Sequence, residues 1–323
     1  MAGQNGAILD VVTLGEAMLR FSAAPGESLE AAPTLAVRAA GAEANVAVTL
    51  ARLGFRTGWI SRLPNDALGR RVAGEIRRHG VDVSAVVWAE QGRTGLYFLE
   101  RGVPPRGTAV HYDRAGSAFS EIDAEAIAWD YVRGARWVHV TGITPALGPG
   151  CAAAAARLIR EARAAGGRVS FDVNYRRKLW PPEAARATLD PMLRAVDLLV
   201  MTQDDAHALF GLEGPPAAQA EAARARWRCG AVAVTAGADG ACLAADGVAE
   251  APAVPGVELD RIGRGDAFAA GLLWGALDGD LRAGLRYGTA LAALCQTYEG
   301  DVAWVTRDDV LALLAGAAPR TAR

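Results

Sequence analysis

Short apolar runs alternate with longer stretches rich in Ala, Arg and Leu along almost the whole chain, and few folds accept that rhythm. The runs Ile8 to Leu14, Arg56 to Ser61, Trp137 to Thr141, Arg168 to Asp172, Asp197 to Met201 and Ala231 to Thr235 read as strands, each ending near Gly, Asp, Asn or Thr. Between them, Ala44 to Leu53, Ala67 to His79, Ala124 to Val132, Cys151 to Ala165, Glu183 to Arg194 and Gln219 to Arg228 read as covering helices. The pattern predicts an α/β fold: a mostly parallel central sheet flanked by helices, with ligands bound beyond the carboxyl ends of the strands.

Two regions break the rhythm, about residues 18–40 and 86–120. Leu96 to Leu99 and Val110 to Tyr112 look extended there, among Gly and Pro, and neither region holds a helical pattern. They form either a small sheet standing over the strand ends as a lid that excludes water, or a pair of irregular surface hairpins. No linker or long charge run divides the 323 residues, so one domain over 8–315 is expected, with flexible tails at 1–7 and 316–323.

A formal net charge of −2 gives no footprint for nucleic acid or an anionic membrane, so any phosphate chemistry must be local. The four cysteines are scattered and the four histidines lack metal-ligand spacing, which argues against structural zinc. The start has no basic region followed by an apolar one, and the longest apolar run, Ala267 to Leu277, falls short of the roughly 20 residues a membrane helix needs. A cytoplasmic protein with no membrane span is expected.

The stretch richest in chemistry is Asp260-Arg261-Ile262-Gly263-Arg264-Gly265-Asp266, opening the apolar helix that follows. Glycines let the backbone approach a ligand, and the N–H groups of a helix's first turn lack partners inside it, so such a turn can hold a phosphoryl group. A carboxylate at the same helix start can take the proton of an attacking hydroxyl. By itself the spacing fits equally a turn at Gly265 and a capping role for Asp266. A dinucleotide fingerprint would need Gly at Phe268, and no G-x-x-x-x-G-K-[ST] occurs.

That loop resembles the C-terminal signature, D-T-x-G-A-G-D, of the ribokinase-like (PfkB-type) carbohydrate kinases. Ala40-Gly41-Ala42-Glu43-Ala44-Asn45-Val46-Ala47 looks like their N-terminal sugar-binding signature, in the correct order and most of the chain away. Three further segments, 61–69, 112–118 and 172–180, look most like 2-keto-3-deoxygluconate kinases. The resemblance implies a three-layer sandwich with a β-sheet lid that often mediates dimerisation, hence a homodimer or higher homo-oligomer. It implies ATP and Mg²⁺ as cofactors and phosphorylation of a hydroxyl of a small sugar acid, with Asp266 as general base and Gly263, Arg264 and Gly265 around the transferring phosphate. Sugar contacts are implied from Gly41, Asn45, Tyr97, Tyr112, Arg114, Arg176 and Asp301, and nucleotide contacts from Asn174, Arg176, Thr235, Gly237, Ala238, Gly240, Gly263 and Gly265.

A carboxylate on the substrate agrees with Arg114 and Arg176, since a guanidinium offers a bidentate fork; Arg176, Arg177 and Lys178 fit equally a solvated cluster or a face for ATP phosphates. Two positions depart from the family pattern. Arg261 and Arg264 replace a Thr and a small residue, and a guanidinium at 264 either stabilises the phosphoryl charge or crowds the site. The family's N-x-x-E element appears as Thr202-Gln203-Asp204-Asp205, leaving Asp205 to meet magnesium through water. The alternatives are a kinase of fructose, a riboside or 5-keto-2-deoxygluconate, a catalytically impaired sugar-binding protein, and, on the βα rhythm alone, a nucleotide-cofactor oxidoreductase.

Overall fold

The computed structural model describes residues 8–316; the first seven positions, and 317–323 of the expected tail, lie outside the described residues. In chain order the strands are β1 (Leu9–Leu14), β2 (Met18–Ser22), β3 (Ala36–Ala40), β4 (Thr57–Ile60), β5 (Arg62–Pro64), β6 (Val87–Ala89), β7 (Leu96–Glu100), β8 (Ala109–Asp113), β9 (Ala135–Thr141), β10 (Arg168–Asp172), β11 (Leu198–Thr202), β12 (Ala231–Thr235), β13 (Ala241–Ala245) and β14 (Gly247–Ala251). The helices are α1 (Ala42–Arg52), α2 (Ala67–Arg77), α3 (Trp129–Arg133), α4 (Ile143–Ala146), α5 (Pro149–Ala164), α6 (Pro182–Leu193), α7 (Gln203–Phe210), α8 (Pro216–Trp227), α9 (Arg264–Asp278), α10 (Leu281–Cys295) and α11 (Arg307–Leu314).

Eight strands form the main sheet in the order β14-β13-β12-β11-β10-β9-β1-β4. All neighbours are parallel except β12 with β13 and β13 with β14. Alternation along each strand feeds two cores. Val12, Val138, Leu199 and Val232 face α5, α6, α7 and α8 on one side. Val11, Trp137, Leu198 and Ala233 face α1, α9 and α10 on the other. Each fully buried Leu or Val in these layers contributes about 1.5–3 kcal/mol. From β1 the chain steps to β4 on one side, whereas β9 lies on the other side and leads away to β12. The order of the sheet therefore reverses between β1 and β9, and a crevice opens beyond their carboxyl ends.

A second sheet, β3-β2-β7-β8, is drawn from the two regions that break the rhythm. Its strands pair antiparallel except β2 with β7. One face turns Met18, Ala40 and Tyr97 together over the crevice. The other packs Leu19, Phe21, Val37 and Leu96 toward α1 and α2. This is the lid, and not a pair of irregular hairpins.

One expected helix is corrected. Residues 124–132 form a turn of 3₁₀ helix and then α3, broken at Ile127, whose backbone is extended (ψ 134°). Ile127 and Trp129 are both buried. Residues two apart lie on opposite faces of a helix but on one side of a broken chain, and the Trp129 indole N–H closes the break on the Ala124 carbonyl at 2.9 Å.

α9 is apolar around nearly its whole circumference because it lies between the sheet and α10. Its contact with α10 is backbone against backbone: a Cβ on Gly271 would sit 2.3 Å from the Gly288 nitrogen, and one on Gly275 would sit 2.3 Å from Gly284 Cα. Among the described residues no helix is long and apolar enough to cross a membrane. Gly271→Ala is expected to cost about 1–3 kcal/mol or more through overpacking, whereas a Cβ on Gly265 meets nothing within 4 Å and Gly265→Ala leaves stability intact. Thermal melting of the two variants checks this, and an unchanged midpoint for Gly271→Ala would contradict the packing.

Candidate active site

Beyond the strand ends, under the lid, lies a cleft of about 1410 Å³. Each position predicted from sequence lines it. At one end are Gly41, Asn45, Tyr97, Tyr112, Arg114 and Asp301; at the other are Thr235, Gly237, Ala238 and Gly240. Asn174, Arg176, Asp205, Gly263, Arg264, Gly265 and Asp266 complete its wall.

The loop into α9 is shaped by Gly263, the residue before the helix, at φ 84°. A side chain there would be strained by that left-handed backbone and would also strike the Asp301 carbonyl, 2.0 Å from the ideal Cβ position. The first bond of the helix is Ala267 N–H to the Gly263 carbonyl at 2.9 Å. No side chain caps the start. Among the described residues the amides of Arg264, Gly265 and Asp266 have no protein acceptor, so the positive end of α9 opens into the cleft as an anion site. The Arg264 side chain lines the same space and forms no ion pair among the described residues.

Asp266 is the acid beside this site. Its side chain is buried, and Asn45 in the first turn of α1 donates to its Oδ2 at 2.7 Å. Burial pushes its pKa up to about 7; Asn45 and Arg176 pull it back, while Asp301 and Glu43 add to the rise. A carboxyl poised there is a base matched to neutral pH. α1 is itself fixed by Glu43, whose Oε1 accepts from Thr141 N–H at 3.1 Å, Thr141 Oγ1 at 2.8 Å and Thr144 Oγ1 at 2.7 Å. The start of α1 is thereby tied to the end of β9, across the reversal of the sheet.

At the centre of the cleft, Asp172 closes β10 and Asp205 lies in the first turn of α7. Burial, with the charges of Asp266 and Asp205, holds Asp172 well above the usual carboxylate range. Burial raises Asp205 as well, against hydrogen bonds from the Tyr175 amide at 3.4 Å and the Thr202 element. Asn174 has left-handed backbone (φ 40°), held by its own amide and Nδ2 donating to Asp172 at 3.2 Å each. Arg176 is exposed and lowers all three acids. Among the described residues no three acids, histidines or cysteines are close enough to cage a metal. Two acids short of positive charge suit a hydrated divalent cation shared with a ligand's phosphates.

At the lid end, Tyr97 O–H donates to Asp301 Oδ2 at 2.7 Å, with the Tyr112 ring 5.6 Å away. Arg114 is not free: its Nε and Nη2 both donate to Glu16 Oε2, leaving Nη1 without a partner among the described residues. Arg20, on β2, pairs with both Asp260 and Asp301. Glu16, Arg20, Glu43, Asp172 and Asp260 were not among the sequence-predicted site residues. The available signal was one charge in the strand Met-Leu-Arg-Phe-Ser, Glu16 after Gly15, and the places of Glu43, Asp172 and Asp260 inside the motif segments.

The sequence model of the "pfkB family carbohydrate kinase" matches residues 9–306. The chain belongs to that family. Among its relatives, the 2-dehydro-3-deoxygalactonokinase of Haloferax volcanii is 40% identical over 309 residues, 95% of this chain and 97% of the relative. The 2-dehydro-3-deoxygluconokinase of Bacillus subtilis is 35% identical, covering 91% of each chain. The crystal structure of the 2-dehydro-3-deoxygluconokinase of Thermotoga maritima superposes with a TM-score of 0.88 at 31% identity, over 96% of this chain and 99% of that one. The kinase thus has the ribokinase-like α/β fold, and its reaction is phosphoryl transfer to a carbohydrate.

A reaction that uses Asp266 as its base should show kcat/KM rising about tenfold per pH unit below about 7 and levelling off above it, since only the ionised carboxylate accepts a proton. Asn45→Ala removes the donor that favours the anion, so the acidic limb should move to higher pH. A limb for the unmodified enzyme in the ordinary range near 4, measured with any sugar it phosphorylates, would refute this assignment.

Proposed function

We propose that this kinase transfers the γ-phosphate of ATP to a hydroxyl of a small sugar acid, most like 2-keto-3-deoxygluconate or its galactonate epimer. The observation that carries the reading is the pairing, in one cleft, of an open helix N-terminus with a buried carboxylate of raised pKa and an exposed arginine, Arg176. The named activities of the relatives from Haloferax volcanii and Bacillus subtilis point to the same substrate class.

In this reading the sugar lies between Asn45, Tyr97, Asp301 and the lid, with its carboxylate toward Arg176 and the unpartnered Nη1 of Arg114. Asp266 accepts the proton of the acceptor hydroxyl as its oxygen attacks the γ-phosphorus in line. The amides of Arg264, Gly265 and Asp266 receive the charge that builds on the transferring group, and the Arg264 guanidinium adds to them. The nucleotide lies along Thr235, Gly237, Ala238 and Gly240, with Asn174 and Arg176 at its phosphates. Magnesium would be held from Asp205 through water, with Asp172 behind it, and supplies neutralisation of the β- and γ-phosphate charge. General-base assistance accounts for about 10²–10⁴ in rate, and positioning and electrostatics for most of the rest. Self-association through the lid belongs to the same reading.

Asp266→Asn should lower kcat by about 10²–10⁴ without lowering the melting temperature, since it removes a charge that burial disfavours. Retention of most turnover would take Asp266 out of the mechanism. An ADP-release screen across keto-acid and neutral sugars should favour the acids, and Arg176→Ala should erase that preference. Neutral sugars preferred, with specificity unmoved by Arg176→Ala, would end the sugar-acid reading. Arg264→Ala should lower kcat while leaving the sugar KM close to the parent value; a faster variant would mean that the guanidinium crowds the site.

A further inference from the structure

Arg20 does not line the cleft, yet its three nitrogens are all used. It lies on the middle strand pair of the lid, is 1% exposed, and bonds Ser22 Oγ through Nε at 2.7 Å. Nη1 goes to Asp301 Oδ1 and Nη2 to Asp260 Oδ2. Each acid carries the contact onward. Asp260 Oδ1 accepts from the Ile262 amide and its Oδ2 from the Gly300 amide, both at 3.2 Å, so it ties the phosphate loop to the segment that carries Asp301. Asp301 accepts the Tyr97 hydroxyl on Oδ2, lines the cleft, and presses its carbonyl against the face of Gly263 that only glycine leaves open.

We propose that Arg20 is a positioning residue that sets the sugar end and the phosphate loop in one frame: its guanidinium fork holds Asp301 and Asp260 together, and with them the lid strand. The inference rests on the reading that the cleft takes a sugar and ATP, and adds which residue aligns the two. A planar fork can serve two carboxylates at fixed angles; an ammonium, a point charge on a flexible stem, cannot do so with the same geometry. Burial opposes the guanidinium's charge, but Asp301, Tyr97 and Asp260 together hold it above its ordinary pKa, so it stays cationic across the working range. Charge neutrality alone would need one carboxylate. Here one partner begins the loop that receives the phosphate, and the other comes from a separate segment that abuts Gly263.

The test compares Arg20→Lys and Asp260→Asn with the unmodified enzyme, using whichever sugar that enzyme phosphorylates, and reads melting temperature, KM and kcat for both substrates, and ADP affinity by calorimetry. Arg20→Lys should melt cooperatively and raise both the sugar KM and the ATP KM about tenfold or more, since both ends lose their common anchor. Asp260→Asn keeps the Asp301 contact, so it should weaken ADP binding about fivefold or more while the sugar KM stays within about twofold. A role in stability alone would lower the melting temperature and the active fraction, hence the apparent kcat, with both KM values unchanged; that result for Arg20→Lys overturns the proposal. If Arg20→Lys fails to fold, Asp260→Asn decides, and unaltered ADP affinity in that variant overturns it equally. An unmodified enzyme that phosphorylates no sugar would refute the proposed function instead, and the ADP calorimetry would still decide the coupling.

Discussion

The site is organised around a carboxylate kept out of water. Asp266 is buried at the positive end of α9 and joined to the chain's early part by a hydrogen bond from Asn45, 221 residues away in sequence. A hydrogen bond to an ionised group is typically worth about 1.5–3 kcal/mol, and it must offset the cost of burying the charge. It does so only in part, as the raised pKa records. The unspent tendency to bind a proton is what brings its pKa up to about 7, the range a base proposed to work at neutral pH needs. The reversal of the sheet brings the pair together: α1 follows the lid strand β3 and covers one side of the sheet, α9 lies beside it on that side, and both begin at the crevice. The fold thus brings two distant segments to one point, where neither alone could do the chemistry.

The wall of acids around Asp266 has a common logic. Asp172, Asp205 and Asp266 influence one another through a poorly solvated cleft, with Arg176 as the cation that lowers each of them. At the lid end the balance is different, because Arg20 and Arg114 are already committed to Asp260, Asp301 and Glu16. Charge is paired where the protein needs a rigid wall. It is left short of partners where the nucleotide's phosphates are proposed to lie.

Much of this was legible in the sequence. The six parallel strands were readable because a strand buried on both faces is a mainly apolar run between turn residues, as Trp137 to Thr141 and Ala231 to Thr235 are. The glycine loop and the motif around Asn45, which meet at the Asn45–Asp266 contact, were legible because backbone close to a ligand needs a composition of its own. What escaped has physical reasons too. α10 carries Gly284 and Gly288, which weaken any helical signal, and those glycines are there because α9 packs backbone to backbone against it. The 3₁₀ turn before α3 was lost because Ile127 and Trp129 are buried by a broken chain and not by a helix face. Arg20 and Glu16 were invisible as site residues because a lone charge in a lid strand, or in the turn before it, reads as surface until the fold shows it enclosed. Arg114, legible as a candidate, proved to be held by Glu16, a partner 98 residues away.

The contact between α9 and α10 carries one more implication. With Gly271 and Gly275 of one helix lying on Gly288 and Gly284 of the other, there is no layer of side chains between them that could rearrange by changing rotamers. The helix that carries the base cannot slide or tilt without driving one main chain into another. In the reaction proposed for this cleft, the acceptor would then be brought to the Asp266 carboxylate and not the carboxylate to the acceptor.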